Sequence, residues 1–240
     1  HLEGHALVPR LCATAADGAN ENLDIEFPYL LMLASGGHCQ ILLVRGVGKY
    51  ELIGQTLDDS AGEAYDKVAK MLGLGYPGGP IVDARAKNGN PRAFAFPRPL
   101  CDKPGCDFSF SGIKTAARTF LDRADKPLTD EYIDDFCASF QTSVVDCIIN
   151  RLQNAMKDAR VRDANPKTLV VAGGVAKNSA IRSAMEDLAR KNKVVFAAPP
   201  MNLCTDNGAM IAWAGLENYS VGRVVREPIA PRPRWPLTEL

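Results

Sequence analysis

The feature that most constrains the fold is a buried strand that runs into a glycine turn and then into a helix. Thr168–Ala172 has the apolar character of a buried strand, Gly173 and Gly174 follow it, and a helical pattern covers Ala180–Lys191. A helix N-terminus behind a glycine turn presents free backbone amides, which bind anions well. This strand, turn and helix therefore predict a pocket for an anion or a nucleotide.

A second glycine turn lies nearer the start of the chain. Phe27–Ala34 is a nearly continuous apolar run and Cys39–Val44 is another, so the two predict a hairpin of strands joined by Ser35–His38. The tip contains Gly36 and Gly37, whose bare backbone lets amides approach a phosphate closely. For this turn alone, an ordinary glycine hairpin without a ligand is the alternative.

The stretch after the hairpin predicts one side of a cleft. Tyr50–Leu57 has the pattern of a strand, and Ser60–Leu74 has that of a helix on which Asp66 lies away from the apolar face. The chain then turns sharply at Tyr-Pro-Gly-Gly-Pro before the next helix begins. We expect Gly79 and Asp83, which belong to this turn and the following helix, to flank the cleft.

The remaining pattern alternates helices and strands around one irregular segment. Residues 88–111 are rich in proline, and their apolar residues do not follow the spacing of a helix or a strand. A long irregular loop in a compact domain is more often functional than accidental. Helical patterns cover 113–121 and 129–159, and Val194–Ala198 reads as a strand. Hairpin strands first and strand–helix alternation later predict an α/β fold. Its mixed sheet is flanked by helices, as in the actin, hexokinase and Hsp70 (ribonuclease H-like) nucleotide-binding lobe.

Two histidines at the start of the chain predict a metal site. On a helix, His1 and His5 lie on one face about 6 Å apart, which suits two ligands of one ion. Asp206 is the best candidate for a third ligand, because it stands just ahead of the apolar helix 209–214, where an N-terminus holds a carboxylate in place. Such a set leaves positions on the metal open. A chance pair on the surface is the alternative.

The spacing of the histidines excludes a zinc peptidase. The H-E-x-x-H motif needs its glutamate directly after the first histidine, but Leu2 takes that place and Glu3 comes one residue later. The inverted motif H-x-x-E-H fails as well, because Gly4 stands where its glutamate should be. We therefore do not interpret the histidine pair as part of a peptidase.

Composition places limits on the class of protein. The chain has 240 residues, of which 46% are hydrophobic and 23% charged, as expected for a globular protein with a core. The formal net charge is zero, so no global field would attract nucleic acid. Seven scattered cysteines without a C-x-x-C pair favour a reducing compartment, and no apolar run reaches the length of about 18 residues that a membrane span needs.

Seven motifs in this order resemble those of one family. They are His-x-Glu-Gly-His (1–5), Ser-Gly-Gly-His (35–38), Gly-Glu-Ala-Tyr-Asp-Lys (62–67), Tyr-Pro-Gly-Gly-Pro (76–80), Phe-Ser-Phe-Ser-Gly-Ile-Lys-Thr (108–115), Ala-Gly-Gly-Val-Ala-Lys-Asn (172–178) and Cys-Thr-Asp-Asn-Gly-Ala-Met (204–210). The set resembles the tRNA threonylcarbamoyladenosine synthesis transferases, the TsaD family of bacteria, from His1 to about Gly222. Those proteins were formerly described as sialoglycoprotein endopeptidases, a reading that the histidine spacing speaks against.

The resemblance implies an acyltransferase. In that family the threonylcarbamoyl group of threonylcarbamoyl-AMP passes to the exocyclic amine of the adenosine 3′ of the anticodon, in tRNAs that read codons starting with A. By similarity, the adenylate is bound by the first glycine turn together with polar groups of the cleft and the second glycine turn. These residues are Leu33, Ala34, Ser35, Gly36, Gly37, Asp66, Gly79, Asp83 and Asn178. The general base stays unassigned.

The resemblance also implies a cofactor and partners. By similarity, one divalent metal ion per subunit is held by His1, His5 and Asp206. Iron(II) is the ion implied, with zinc as an alternative in a recombinant preparation. The implied partners are tRNA, threonylcarbamoyl-AMP and protein subunits that resemble TsaB and TsaE (TsaB-like and TsaE-like). The implied location is the cytoplasm, or the mitochondrial matrix for a eukaryotic source, without a membrane.

The family pattern differs from this chain at the front. A complete member should carry roughly one hundred further residues that form a first lobe. We therefore expect 1–12 to be the metal-ligand helix from the end of the first lobe, 13–225 to be the second lobe and 226–240 to be an extended tail rich in proline and arginine. A scaffold subunit without chemistry is one rival interpretation, although it would not need His1, His5 and Asp206 together. A sugar or acetate kinase is another, although it would carry acidic magnesium sites.

Overall fold

The centre of the molecule is a five-stranded mixed sheet with helices on both faces. This computed structural model describes residues 1–14, 22–125, 127–224, 232 and 235–240. The sheet has the order β5-β4-β3-β6-β7. Its strands are β3 (Tyr29–Ala34), β4 (Cys39–Gly46), β5 (Lys49–Gln55), β6 (Thr168–Ala172) and β7 (Val195–Ala197), and a separate pair is formed by β1 (Ala13–Thr14) and β2 (Asn22–Leu23). The predicted α/β fold with a mixed sheet is confirmed.

The predicted hairpin is formed by β3 and β4. The strands are antiparallel, and Ala34 pairs with Cys39 across the turn. Strand β3 begins at Tyr29 rather than at the predicted Phe27, since Pro28 has no N–H to donate to a ladder. Every residue of β3 is buried, because its side chains alternate between the two covered faces of the sheet. This explains the continuous apolar run.

Strand β6 lies beside β3 and runs parallel to it. Leu33 pairs with Ala172 at the last register position of the two strands. Because parallel strands end at the same edge, the turns that follow β3 and β6 lie next to each other. Strand β7 is parallel to β6 and closes this side of the sheet. The two glycine turns singled out from the sequence therefore belong to one edge.

Eight α-helices lie in the described part of the chain. They are α1 (Leu2–Cys12), α2 (Ala61–Met71), α3 (Gly78–Ala86), α4 (Ser111–Asp122), α5 (Asp130–Lys157), α6 (Ala159–Ala164), α7 (Ser179–Lys191) and α8 (Gly208–Ser220). The predicted cap of the longest helix is confirmed, since Thr129 accepts a hydrogen bond from the amide of Tyr132. We expected one helix through Ala159, but Asp158 has the extended torsions φ −59° and ψ 135°, ends α5 and caps α6.

The core has two parts, one on each face of the sheet. The larger part packs α2, α4, α5 and α7 against one face, and contains a group of aromatic rings around Phe96, Phe136 and Phe140. On the other face, Leu2 and Ala6 of α1 lie against Tyr29 and Leu31. Helix α1 also packs against α8, so the start of the chain is fixed to the region around 206.

The irregular segment between α3 and α4 has no regular element of its own, as predicted, and is held by side chains from elsewhere. Arg151 of α5 is buried and donates to the carbonyls of Lys103 and Gly105. Asp58 accepts hydrogen bonds from the hydroxyls of Ser109 and Ser111 just before α4. The segment therefore has a fixed path despite its lack of secondary structure.

The loop that follows α1 and the predicted tail lie partly outside the described residues. Of the loop after α1, residues 15–21 are outside, and β1 and β2 are its described ends. Of the predicted tail, 226–231, 233 and 234 are outside, while Leu237 is buried against the sheet within a short 3-10 turn. Among the described helices, none combines the length and apolar character that crossing a membrane requires.

Candidate functional site

The site is built on the two glycine turns at the carboxyl ends of β3 and β6. Gly173 has a φ of +90°, and a Cβ placed on it would lie 2.3 Å from the carbonyl oxygen of Ala34. Only glycine therefore fits where the second turn passes the end of β3. Leu33 and Ala34, which were predicted to bind the adenylate, have buried side chains, so only their backbone can reach a ligand.

The first turn is held by hydrogen bonds between its own residues, and the space next to its two glycines is open. Ser35 donates its amide to the carbonyl of His38 at 2.7 Å, while its Oγ accepts from the amides of Gly37 at 3.3 Å and His38 at 3.1 Å. A Cβ on Gly36 or Gly37 would meet no described atom within 4 Å. A phosphate can therefore come close to this backbone, where it would compete with the Ser35 hydroxyl for the weakly held Gly37 amide.

The N-terminus of α2 lies directly against the first turn. Ser60 donates its hydroxyl to the carbonyl of Gly36 at 2.6 Å and accepts from the amide of Glu63 at 3.2 Å. Gly62 makes the close approach, since a Cβ there would lie 2.6 Å from the Ser35 carbonyl oxygen. The positive end of the helix dipole therefore faces the turn. We did not predict Ser60 or Gly62, although Ser60-x-x-Glu63 matches the sequence signal of a capped helix start.

Asp66 occupies a cleft beside the first turn, as the sequence suggested. Its Oδ1 accepts a 2.7 Å hydrogen bond from the amide of Gly78 at the start of α3, and its second oxygen has no hydrogen-bond partner among the described residues. A cavity of about 610 Å³ is lined by Gly36, Asp66, Lys67 and Tyr76, among others. Gly79 is open as well, because an added Cβ would contact none of the described atoms within 4 Å.

Asp83 and Asn178 lie deeper, in a buried network of hydrogen bonds. Asp83 accepts from Gln141 Nε2 at 3.1 Å and from the Ser179 hydroxyl at 2.9 Å. Asn178 donates to Gln141 Oε1 at 2.7 Å, and its own oxygen caps α7. Gln141 also accepts from the hydroxyl of Tyr65, and burial raises the pKa of that hydroxyl far above its usual range. The network fixes α3, α5 and α7 relative to each other at this edge.

The sequence analysis missed Tyr65, Gln141 and Ser179. Gln141 lies on the longest helix between Phe140 and Val144, which are both fully buried. A polar side chain at a buried position of a helix usually has a specific partner, so this interruption of the apolar pattern was a usable signal. The partner itself could not be found this way, because Asp83 is 58 positions away in the sequence.

The predicted metal ligands are near one another but are not arranged as a finished site. His5 is 2% exposed and its Nε2 lies 2.7 Å from Oδ1 of Asp206, whose side chain is 76% exposed. The ring centres of His1 and His5 are 6.0 Å apart. Over the residues that the structure describes, no three side chains of the ligand type stand together as a metal site. The three-ligand set therefore stays a prediction.

The chemistry of these side chains fits a divalent ion. The buried Nδ1 of His5 has no hydrogen-bond partner among the described residues, so the orientation of this ring is not fixed from behind. Asp206 precedes the cap residue Asn207 of α8, as predicted, so a helix start supports the carboxylate. Two imidazoles and a carboxylate form a donor set that suits iron or zinc.

Close packing connects the metal-ligand region with the glycine turns. Gly4 lies between His1 and His5, and a Cβ there would lie 3.1 Å from Cγ of Met210, so this glycine lets α1 and α8 approach. A Cβ on Gly174 would lie 3.6 Å from Cγ2 of Thr205. The second glycine turn therefore contacts the loop that carries Asp206. The twelve predicted site residues come from the end of β3, the first glycine turn, the start of α1, helices α2 and α3, the start of α7 and the loop before α8.

The mixed sheet flanked by helices, whose central strands end in two adjacent glycine turns, has the fold of an actin-like lobe. The activator of 2-hydroxyisocaproyl-CoA dehydratase from Clostridium difficile shares this fold, with a TM-score of 0.50 and 18% identity over 95% of this chain and 70% of that protein. A family model described as tRNA N6-adenosine threonylcarbamoyltransferase matches residues 1–213. The chain belongs to this family, TsaD.

Relatives of known name agree with the family. The tRNA N6-adenosine threonylcarbamoyltransferase of Rhodospirillum rubrum is 53% identical over 238 residues, which cover 99% of this chain and 63% of that protein. The protein of the same name from Anaplasma phagocytophilum is 49% identical over 241 residues, covering 100% of this chain and 67% of its own length. The chain thus spans about two thirds of the length of these relatives.

Proposed function

We propose that the full-length protein transfers the threonylcarbamoyl group of threonylcarbamoyl-AMP to tRNA. The acceptor is the exocyclic amine of the adenosine 3′ of the anticodon, in tRNAs that read codons starting with A. The amine nitrogen bonds to the carbamoyl carbon, the bond from that carbon to the phosphate oxygen breaks, AMP leaves and the amine loses a proton. The single observation that carries this proposal is the place of the second glycine turn, where Gly174 lies beside Thr205 and so next to the Asp206 that contacts His5, in a chain of the TsaD family.

The glycine turns and the cleft bind the adenylate in this proposal. The amides of Gly36 and Gly37 receive the phosphate, and the α2 N-terminus adds its dipole. The free oxygen of Asp66 can accept a hydrogen bond from a ribose hydroxyl. The activator from Clostridium difficile, which shares the fold, was solved with bound ADPNP, and this supports a nucleotide at the lobe.

Asp83 and Asn178 act from within the buried network in this proposal. Both side chains already have protein partners, so they can offer a nucleoside only their remaining lone pairs and N–H groups. Their larger contribution is to keep the starts of α3 and α7 in place, close to Gly79 and the second turn. A rigid network of this kind holds a nucleotide site ready before the ligand arrives.

His1, His5 and Asp206 hold the metal ion, iron(II), in this proposal. When bound, an ion with open positions polarises the carbonyl of the acyl group. The burial of His5 and the close approach of Gly4 to Met210 keep α1 and α8 together, so the protein donors come from the start of α1 and from the loop that leads into α8. Asp206 is exposed, and its side chain can turn toward the ion without unpacking the core.

The proposal includes the partners that the family implies. Because the formal net charge of this chain is zero, we propose that the basic surface for tRNA comes from protein partners, TsaB-like and TsaE-like subunits, or from parts of the protein outside this chain. The proposed location is the cytoplasm. The described part of the chain has no membrane-crossing helix, and its relatives are named as enzymes that act on tRNA.

The test is a transfer assay on the full-length protein. Threonylcarbamoyl-AMP is supplied with an unmodified tRNA transcript that reads an A-starting codon, and the modified nucleoside is measured by mass spectrometry. A transcript in which the adenosine 3′ of the anticodon is replaced by guanosine is the control. Product with the first transcript and none with the second supports the proposal. A full-length protein that binds its partner subunits but forms no product would instead be the scaffold subunit.

A further inference from the structure

The third histidine of the chain lies beside the two that were predicted to bind metal. The sequence contains three histidines, His1, His5 and His38. The ring centres of His1 and His38 are 5.7 Å apart, close to the 6.0 Å between His1 and His5. His38 comes from the first glycine turn, whereas the other two come from α1. Two distant segments therefore bring all the imidazoles of the chain to one place.

The spacing of these rings suits ligands of a common ion. Two imidazoles whose nitrogens both lie about 2.1 Å from one metal ion have ring centres roughly 5 to 6 Å apart. Both ring pairs stand at or near this separation. His1 therefore stands at this spacing from both His5 and His38.

We propose that His38 is a fourth protein ligand of the metal ion, together with His1, His5 and Asp206. This inference rests on the metal site of the proposed function and extends it by one residue. His1 directly before α1 and His5 within it supply two imidazoles, the loop before α8 supplies the carboxylate, and the first glycine turn supplies the fourth donor.

The surroundings of His38 allow this role. Its backbone is fixed by two hydrogen bonds with Ser35, at 2.7 Å from its carbonyl and 3.1 Å from its amide. Its half-buried side chain faces a cavity of about 770 Å³ that His1 and Gln55 also line, so the ring has room to rotate. The nearby carboxylate of Glu3 is a weaker candidate, because it already accepts a 2.8 Å hydrogen bond from the hydroxyl of Tyr50.

The number of protein ligands determines which ions keep a coordination position for the substrate. A tetrahedral zinc ion with four protein ligands has no position left for a substrate, as in structural zinc sites. A six-coordinate ion such as iron(II) keeps two positions. The fourth ligand therefore favours a six-coordinate metal for the transfer. It also ties the ion to the phosphate-binding turn, since His38 directly follows Gly37.

Cobalt(II) binding to the full-length protein tests the inference without relying on activity. Cobalt(II) has visible absorption that changes with the number and type of its ligands. We expect His38→Ala and Asp206→Ala each to weaken cobalt binding at least tenfold and to change this spectrum. His38→Asp should keep the affinity within a few-fold, because a carboxylate also ligates. Gln55→Ala is the matched control, since Gln55 lines the same cavity and should leave affinity and spectrum unchanged.

The outcomes separate this inference from the proposed function. If Asp206→Ala loses cobalt while His38→Ala keeps the affinity and spectrum of the wild type, His38 is not a ligand and the three-ligand site stands. If wild type and both variants all bind alike, or if none binds, the metal site itself is wrong. Circular dichroism checks folding. Should His38→Ala fail to fold, His38→Gln, which keeps a polar side chain of similar size but ligates poorly, carries the same expectation.

Discussion

The glycines at the two turns perform different tasks. Gly62 and Gly173 are required by the protein itself, because a Cβ on either would run into the backbone of the first turn or the end of β3. Gly36 and Gly37 have free space around them and ordinary backbone torsions. The described residues around them do not require glycine at these two positions, as expected if a ligand approaches the turn. Substitutions at the two kinds of glycine should therefore fail in different assays.

Gly36→Val should weaken the binding of threonylcarbamoyl-AMP at least tenfold, which is about 1.4 kcal/mol. The valine side chain fits the free protein but blocks close approach of a phosphate to the turn. Calorimetry on the full-length protein measures the affinity. Gly46→Val, at the far end of β4, is the control and should bind normally. Unchanged affinity in a folded Gly36→Val protein would reject the phosphate site.

Gly173→Ala should lower the free energy of unfolding by about 3 kcal/mol. Its φ of +90° is unfavourable for alanine, and the Cβ would lie 2.3 Å from the Ala34 carbonyl oxygen. The neighbouring Gly174→Ala should cost less than about 1 kcal/mol, because its Cβ would make an ordinary 3.6 Å contact with Thr205. Urea unfolding of the two variants compares them directly. Equal stability would mean that the strand ends can separate freely.

At the scale of elements, several helices reach the site with their N-terminal ends. The N-termini of α2, α3 and α7 are each held by a side chain that also belongs to the edge, namely Ser60, Asp66 and Asn178. The start of α4 is fixed in the same way by Asp58, which accepts from the amide of Phe110 and from the hydroxyls of Ser109 and Ser111. This explains the Phe-Ser-Phe-Ser-Gly motif as an anchor.

Acid should release the start of α4. Burial raises the pKa of Asp58, but the hydrogen bonds from Ser109, Ser111 and two amides outweigh burial and hold it below its usual 3.8. Because the folded pKa is depressed, the stabilisation is complete above pH 3.8 and is lost as the pH falls through the lower folded value. Asp58→Asn should therefore lower the free energy of unfolding by about 1 kcal/mol near neutrality. This difference from the wild type should shrink as the pH falls below 3.8.

Unfolding free energies of wild type and Asp58→Asn, measured from pH 6 downward, test this dependence. Asp122→Asn, at the exposed end of the same helix, is the control and should show almost no difference, since its pairing with Arg118 is at 4.0 Å on the surface. A gap between wild type and Asp58→Asn that stays constant through this pH range would contradict the anchor role.

Local elements could be predicted from the sequence, but partnerships across the chain could not. The hairpin, the second strand–turn–helix unit and the Thr129 cap depend on neighbouring residues, and their patterns were sufficient. The hydrogen bonds of Asp83 with Gln141 and Ser179 join segments from three helices, and no period or motif encodes such a pairing. The break at Asp158 was missed because a single residue with extended torsions hardly changes an apolar pattern.

For the whole molecule, charge limits what this chain can do alone. Its 28 basic and 28 acidic side chains balance, and many of them pair with each other, as Arg85 does with Asp134 and Arg98 with Asp146. Binding to nucleic acid draws most of its strength from uncompensated lysine and arginine at the phosphates. The balanced charge of this chain therefore provides no overall field that would attract a tRNA.

This chain by itself should bind tRNA weakly, with a dissociation constant above about 1 µM at physiological salt and a shallow dependence on salt. Filter binding with an unmodified transcript measures both quantities. The full-length protein with its partner subunits serves as the positive control. Submicromolar binding by the isolated chain would show that a local basic patch is enough and that the overall balance of charge is irrelevant.

Because β3 and β6 are neighbours in the sheet, the separation between the two glycine turns is fixed by the backbone. The two glycine turns start from neighbouring parallel strands, and the distance between such strands is set by main-chain hydrogen bonds at about 4.8 Å, whatever the side chains are. Substitutions in the core can therefore change the free energy of unfolding without changing the distance between the two turns. A ligand that contacts both turns must therefore have a length that matches this fixed backbone spacing, whatever side chains surround it.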